Sequence, residues 1–285
     1  DWDHPYSTMA FHAEAQIARE IMKFKDNGLL YRGSKPVMWS VVEKTALAEA
    51  EVEYLEHKSI TVWVRFPVKE AVGGTLHTLK GGEFTGYNEP ASLVIWTTTP
   101  WTLPGNVALA VGKDIEYVAI KLLGANSDVQ YVVLSKETYD AAKNNRHNLY
   151  SLIGTHLDFA HNAESPAAKV ANLAFPYEGR TYKGSKLVGL EYEPLFPFLK
   201  DNLPESEQAK LPNAFKVYAA DFVTTEDGTG VVHTAVMYGA DDFELGSKKD
   251  VNLPKFHTVG EDGRFIEAVK IPGTEGKQVK SKDEA

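Results

Sequence analysis

Apolar residues early in the chain recur at helical spacing. Phe11, Ala15, Ile17, Ala18, Ile21, Met22 and Phe24 fall near every third or fourth position, which predicts an amphipathic helix from about Met9 to Asp26. Asn27-Gly28 supplies its stop signal, and LLYRGSKPVMW reads as a turn into a short extended segment. From Ser59 onward the period shortens. ITVWVRFPV, SLVIWTTT, NVALAV, EYVAIKL and QYVVLS are short, rich in valine, isoleucine and aromatics, and separated by glycine, asparagine or proline, so each predicts a strand. KLVGLEY, FKVYAADFVTT and GTGVVHTAV are further strand candidates, and FHTVGEDGRFIEAV reads as a hairpin around Asp262-Gly263. Helices are expected at about Lys136 to Asn145 and Asp241 to Lys249. The pattern predicts an α+β fold, a closed or strongly curved, β-barrel-like sheet of mostly antiparallel strands with peripheral helices. No internal repeat is visible, and the junction near residues 45 to 58 is the best domain boundary. The three parts are then 1–45, 46–275 and 276–285, the last within a charged tail after Pro272 that is expected to fray or to act as a linker.

Composition narrows the chemistry. The 285 residues contain no cysteine, which removes disulfides, thiolate metal sites and a cysteine nucleophile, and fits a cytoplasmic protein. No apolar run approaches the roughly 18 to 20 residues that a membrane helix needs, and DWDHPYSTMA has no export-signal pattern, so a soluble protein is expected. The nine histidines show no two-histidine helical spacing with a third ligand nearby; neither a metal nor any other cofactor is expected. Thirty basic against thirty-nine acidic residues give a net charge of -9, which argues against holding nucleic acid by phosphate neutralisation alone.

Two segments place polar groups beside strands that otherwise read as core. Trp96-Thr97-Thr98-Thr99-Pro100-Trp101-Thr102-Leu103-Pro104-Gly105-Asn106 follows an apolar strand, and its prolines must end or bend that strand, leaving hydroxyls and an amide on a rigid turn. By themselves such threonines could be edge decoration, because threonine favours strands. Gly228-Thr229-Gly230-Val231-Val232-His233-Thr234-Ala235 continues through Tyr238 and Gly239 into Asp241-Asp242-Phe243. It reads as a tight turn, a buried strand carrying one histidine, a loop and a helix start. Taken alone, Asp241 or Asp242 could cap that helix and His233 could be a satisfied core histidine.

Together these segments resemble the editing domain of isoleucyl-tRNA synthetases. Thr99 is informative, because the valyl and leucyl enzymes have arginine after the first two threonines. DWDHPYSTM is similar to the family's Rossmann-type catalytic domain just before the editing insertion, which makes residues 1–45 a flanking piece of that domain. KPVMWS with TALAEAEVEY resembles the lead into the insertion, and GLEYEPLFPF a further family segment. H-I-G-H-like and K-M-S-K-S-like elements, which bind ATP and the adenylate in this family, do not occur, so the ATP site is absent and amino-acid activation is not expected.

The resemblance implies hydrolysis of valyl-tRNA(Ile), or of valyl-adenylate, by a monomer that takes the tRNA acceptor end carrying valine. Isoleucine and valine differ by one methylene, worth about 1 kcal/mol on burial, and this pair is itself the standard worked case for the limit of a single binding pocket. It also implies that Asp242 pairs with the α-ammonium and that His233 lies against the valine side chain. Thr97, Thr98, Thr99, Thr102 and Asn106 would then face the terminal adenosine, the ester and the attacking water. Trp96, Thr234, Ala235, Tyr238 and Asp241 complete the expected substrate-binding set, and Asp242, Thr97, Thr98, Thr99 and His233 the catalytic one. Val236-Met237-Tyr238 stands where many members have proline, glycine and histidine, and Gly105 is often alanine. A runner-up reading is a non-catalytic module that binds the acylated tRNA end, and a second is valyl-type editing, against which Thr99 argues.

Overall fold

The computed structural model describes residues 2–69, 91–123, 129–142, 181–271, 274 and 276–279. The chain divides into two units, residues 1–35 and 36–285. In the first, α1 spans Phe11–Asp26 and ends as its sequence requires, with Gly28 at φ 71° accepting the left-handed conformation that closes the helix. The apolar stripe of α1, including Phe11, Ile17, Ile21 and Phe24, is exposed.

The second unit begins with a two-stranded ribbon, β1 (Trp39–Ser40) and β2 (Thr45–Ala46). The strands that follow are β3 (Val62–Pro67), β4 (Ala91–Thr97), β5 (Ala108–Val111), β6 (Glu116–Leu123) and β7 (Val129–Ser135). After α2 (Lys136–Ala142) come β8 (Thr181–Lys183), the short helices α3 (Leu199–Asn202) and α4 (Glu205–Gln208), β9 (Lys216–Ala219), β10 (Val231–Thr234) and α5 (Ala240–Ser247). The expected helix around residues 136–145 is therefore seen to Ala142, its remainder lying outside the described residues.

Five strands form one sheet in the order β3-β4-β7-β6-β8, antiparallel except between β4 and β7. A second sheet, β10-β5-β9, pairs β10 antiparallel and β9 parallel to β5. The α+β character, the mostly antiparallel pairing and the peripheral helices match the expectation, but among the described residues the strands make these two sheets and the small β1–β2 ribbon, and no closed barrel. Phe66, Leu93, Ile95, Leu109, Val111, Tyr117 and Val217 fill one core shared by both sheets. Burial on both faces explains why β4 and β5 read as near-continuous apolar runs.

The turn before β10 fastens the sheets together. Thr229 donates its hydroxyl to the Val94 carbonyl at 2.5 Å, and its own carbonyl accepts from the Ser135 amide at 2.8 Å. Gly230 at φ 72° brings the backbone so close that a Cβ there would stand 2.7 Å from the Ser135 Cβ. KLVGLEY is not a strand. Residues 184–186 form a 3₁₀ turn, Gly189 takes φ 90°, and only Glu191 and Tyr192 make isolated bridges, to Lys216 and Val68. The hairpin around Asp262-Gly263 is present as a single bridge, Val259 to Phe265, and residues 277–279 run alongside it through Arg264–Gln278 pairing.

Candidate active site

β4 delivers Thr97 into the polar turn, and Pro100 and Pro104 convert the chain to a 3₁₀ turn over Pro100–Gly105. The Thr102 hydroxyl and amide both donate to the Thr99 carbonyl, at 2.8 and 3.1 Å, and the Thr99 amide donates to the Thr97 hydroxyl at 3.0 Å. The Thr98 and Thr99 hydroxyls lie 3.4 Å apart at the rim, with Thr98 exposed and Thr97 and Thr99 half-buried. Thr102 and Asn106 are buried beneath them.

His233, on β10, is buried against this turn. Asn106 Nδ2 lies 2.9 Å from both the Ala108 carbonyl and His233 Nδ1, while Asn106 Oδ1 accepts from the Tyr192 hydroxyl at 2.7 Å. Each bond fixes the next. The amide donates to Nδ1, so the imidazole proton sits on Nε2 and is donated to Thr102 Oγ1, 3.0 Å away. Thr102 is free to accept it because its own proton goes to Thr99. Burial pushes the His233 pKa down to about 4, with the contact to Thr102 pulling weakly the other way, so the ring is neutral at pH 7. Both ring nitrogens are committed, which leaves no lone pair for proton abstraction.

Asp242 lies in the first turn of α5, yet it does not cap the helix. The N-cap is Gly239, without a side-chain cap, and Asp242 Oδ2 turns back to accept the Ala235 amide at 3.1 Å. Burial is the main cause that raises its pKa to about 6; the charge of Asp241 adds to the rise and the Ala235 bond opposes it. Among the described residues no lysine or arginine pairs with Asp242. A partly desolvated carboxylate without a counter-charge is suited to receive a cation from outside. Gly239 permits this turn back, since a Cβ there would come within 2.9 Å of Asp242 Oδ2.

The two expected segments meet at Gly105. A Cβ on it would stand 3.2 Å from the Tyr238 ring and 3.7 Å from the Ala235 Cβ. Tyr238 packs edge-on against Trp101 at 5.2 Å, and its hydroxyl accepts the Thr258 and Val259 amides at 2.6 and 3.0 Å. The Asp242 anchor and the threonine turn thus border one wall, with His233 and Ala235 between them. Thr234 is fully buried and its hydroxyl has no partner among the described residues. Trp96 packs instead on Trp63, 6.5 Å away, and Asp241 is exposed. Sequence reasoning passed over Tyr192, whose bond to Asn106 spans 86 residues; only its place in GLEYEPLFPF marked it.

A separate cleft of about 360 Å³ is lined by Ile115, Glu116, Lys136, Glu137, Asp140 and Thr225. Its charges are spent locally, Lys136 on Asp140 and Glu137 on Thr225. No three histidine, aspartate or glutamate residues among those described are placed to hold a metal ion. No helix among them is long and apolar enough to cross a membrane.

The family model for class I tRNA synthetases (I, L, M and V) matches residues 1–253. The isoleucine–tRNA ligase of Rhodopseudomonas palustris is 39% identical over 295 residues, covering 98% of this chain and 24% of that protein. That of Aquifex aeolicus is 35% identical over 272 residues, covering 94% and 24%. The chain therefore spans about a quarter of the length of the curated relatives it matches. Among solved structures, the Plasmodium falciparum cytosolic leucyl-tRNA synthetase editing domain is similar at 15% identity and TM-score 0.35, covering 64% of this chain and 53% of that one. The corresponding Plasmodium knowlesi domain gives 14% and 0.38, covering 66% and 60%.

Proposed function

The chain belongs to the class I tRNA synthetases (I, L, M and V), and from that membership and the geometry of its site we propose that it is an editing module that hydrolyses valyl-tRNA(Ile). The observation that carries the reading is Asp242: a half-buried carboxylate, excused from capping its helix, held by the Ala235 amide and without a cationic partner among the described residues, beside a turn lined with hydroxyls. Its free oxygen receives the α-ammonium of the aminoacyl ester. The Thr97, Thr98 and Thr99 hydroxyls face the ester and the attacking water.

Water adds to the ester carbonyl, the tetrahedral intermediate collapses, and the bond to the terminal ribose oxygen breaks to release valine and free tRNA. The attacking water gives up a proton to solvent as it adds, and the ribose oxygen takes one from solvent as it leaves. His233 does not serve as the base, because Asn106 and Thr102 occupy both its nitrogens. Orientation of water by the threonine hydroxyls and by the neighbouring ribose hydroxyl supplies the rate. The buried ring forms part of a wall that does not yield, so the larger isoleucyl side chain is excluded sterically.

Deacylation of valyl- and isoleucyl-tRNA(Ile) by the wild type and Asp242→Ala tests this. Valine-selective release is expected, reduced by about a hundredfold or more in Asp242→Ala, as loss of a charge-assisted anchor costs about 3 kcal/mol. Equal release of both amino acids defeats the sieve, and protection of the ester from hydrolysis identifies a binding module instead.

A further inference from the structure

We infer that Tyr192 is a positioning residue for this site: its hydroxyl, acting through Asn106, fixes the tautomer of His233 and with it the set of the threonine turn. The inference deepens the editing reading and rests on it for the reaction concerned.

Tyr192 is fully buried, on a segment far in sequence from both parts of the site. Its backbone amide donates to the Phe215 carbonyl at 3.0 Å, and its ring sits edge-on between Phe66 at 5.3 Å and Phe215 at 6.2 Å. The ring is held by packing, which leaves the hydroxyl as a fixed donor. Burial pushes its pKa well up, so the phenol keeps its proton throughout the working pH range.

From that donor the polarity runs one way. The phenol gives its proton to Asn106 Oδ1 at 2.7 Å, which turns the amide nitrogen toward the Ala108 carbonyl and His233 Nδ1. His233 then donates from Nε2 to Thr102, and Thr102 donates to the Thr99 carbonyl. Reversing the amide would face its oxygen to the Ala108 carbonyl, put a proton on Nδ1, and require Thr102 to donate to Nε2. The Thr102 hydroxyl would then leave the Thr99 carbonyl, which keeps only the bond from the Thr102 amide, and Thr99, the residue whose hydroxyl stands at the rim, is held by one bond in place of two. The Ala108 carbonyl and the Tyr192 hydroxyl are the two groups that choose between these states, and only the second is a side chain.

Tyr192→Phe keeps the packed ring and deletes the donor. Two readouts decide the matter: the ¹⁵N resonances of the His233 ring, and valyl-tRNA deacylation resolved into kcat and KM. The wild type is expected to show a single Nε2–H tautomer at pH 7. In Tyr192→Phe we expect an Nδ1–H population to appear, with kcat reduced about tenfold and KM within about twofold, the signature of lost orientation with binding retained. A wild-type Nδ1–H tautomer overturns the relay without recourse to any variant. So does Tyr192→Phe with the tautomer unchanged, whatever its kcat; a shifted tautomer with kcat unaltered leaves the relay standing and overturns the positioning role. Should the wild type show the Nε2–H tautomer yet release no valine, the editing reading fails and takes the positioning role with it, while the relay itself stands.

Discussion

Asp242 and His233 are titratable groups displaced in opposite senses by the same burial, and their effects on stability oppose one another. The carboxyl, raised from 3.8 to about 6, binds its proton more tightly in the folded chain, so folding loses stability as pH rises from about 4 to 6. The imidazole, lowered from 6.5 to about 4, binds its proton more tightly when unfolded, so folding gains stability over nearly the same interval. Asp242→Asn keeps an acceptor for the Ala235 amide and removes the charge. Thermal denaturation at pH 7.5 should find this variant more stable by on the order of 2 kcal/mol, the advantage shrinking to nothing near pH 4. No stabilisation at pH 7.5 would mean that the carboxylate is not desolvated as described. The same group sets the acid limb of activity: kcat/KM for valyl-tRNA should rise through a pH near 6 as Asp242 ionises. His233 adds no limb above about pH 4, so a second ionisation near 6.5 in the profile would contradict its burial.

Gly105 and Tyr238, both noted as departures from the commoner family form, turn out to touch. Tyr238 lies over the turn with its hydroxyl tied to the 258–259 backbone, and the missing Cβ of Gly105 is what admits the ring. Gly105→Ala should cost about 1–2 kcal/mol in denaturant unfolding and lower deacylation, since the ring is pinned at its far end. Adding Tyr238→His, which shortens the side chain, should recover much of the loss, and additive effects would show that the two positions are independent. This pair shows how far the sequence was legible. The proline-bounded threonine turn and the glycine-rich lead into β10 could be read directly, because proline and glycine act locally. That Asp242 is released from capping could not, since the choice between an α5 amide and the Ala235 amide depends on how the preceding turn folds. KLVGLEY looked like a strand because Leu187, Leu190 and Tyr192 all pack into the shared core while Val188 points outward, whereas the left-handed Gly189 breaks the extended run. The parallel pairings β4–β7 and β5–β9 had no local signal, and Tyr192 reaches Asn106 only through them and the core between.

At the scale of the whole chain, charge limits what the site can hold. A net charge of -9 on 285 residues opposes a polyanion, and the family resemblance concerns only about a quarter of the length of the relatives it matches. On the proposed reading the site would take an aminoacyl ester with three kinds of group: a carboxylate for the ammonium, hydroxyls for the ester, and a wall for the side chain. None of these groups requires the body of a tRNA. We therefore expect KM for valyl-tRNA and for the valyl ester of adenosine to agree within about threefold on this chain. Raising salt from 50 to 200 mM should alter KM for valyl-tRNA by less than about tenfold, whereas a protein with six to ten phosphate contacts loses about 10³ or more in affinity over that range. A steep salt dependence, or a tRNA that binds far better than the short ester, would reveal a basic surface able to overcome the net charge. A shallow one assigns the grip on the tRNA to regions of the longer relatives that this chain does not span. The editing site would then act on whatever acceptor end those regions deliver, its selectivity resting on the few side chains around Asp242 and His233.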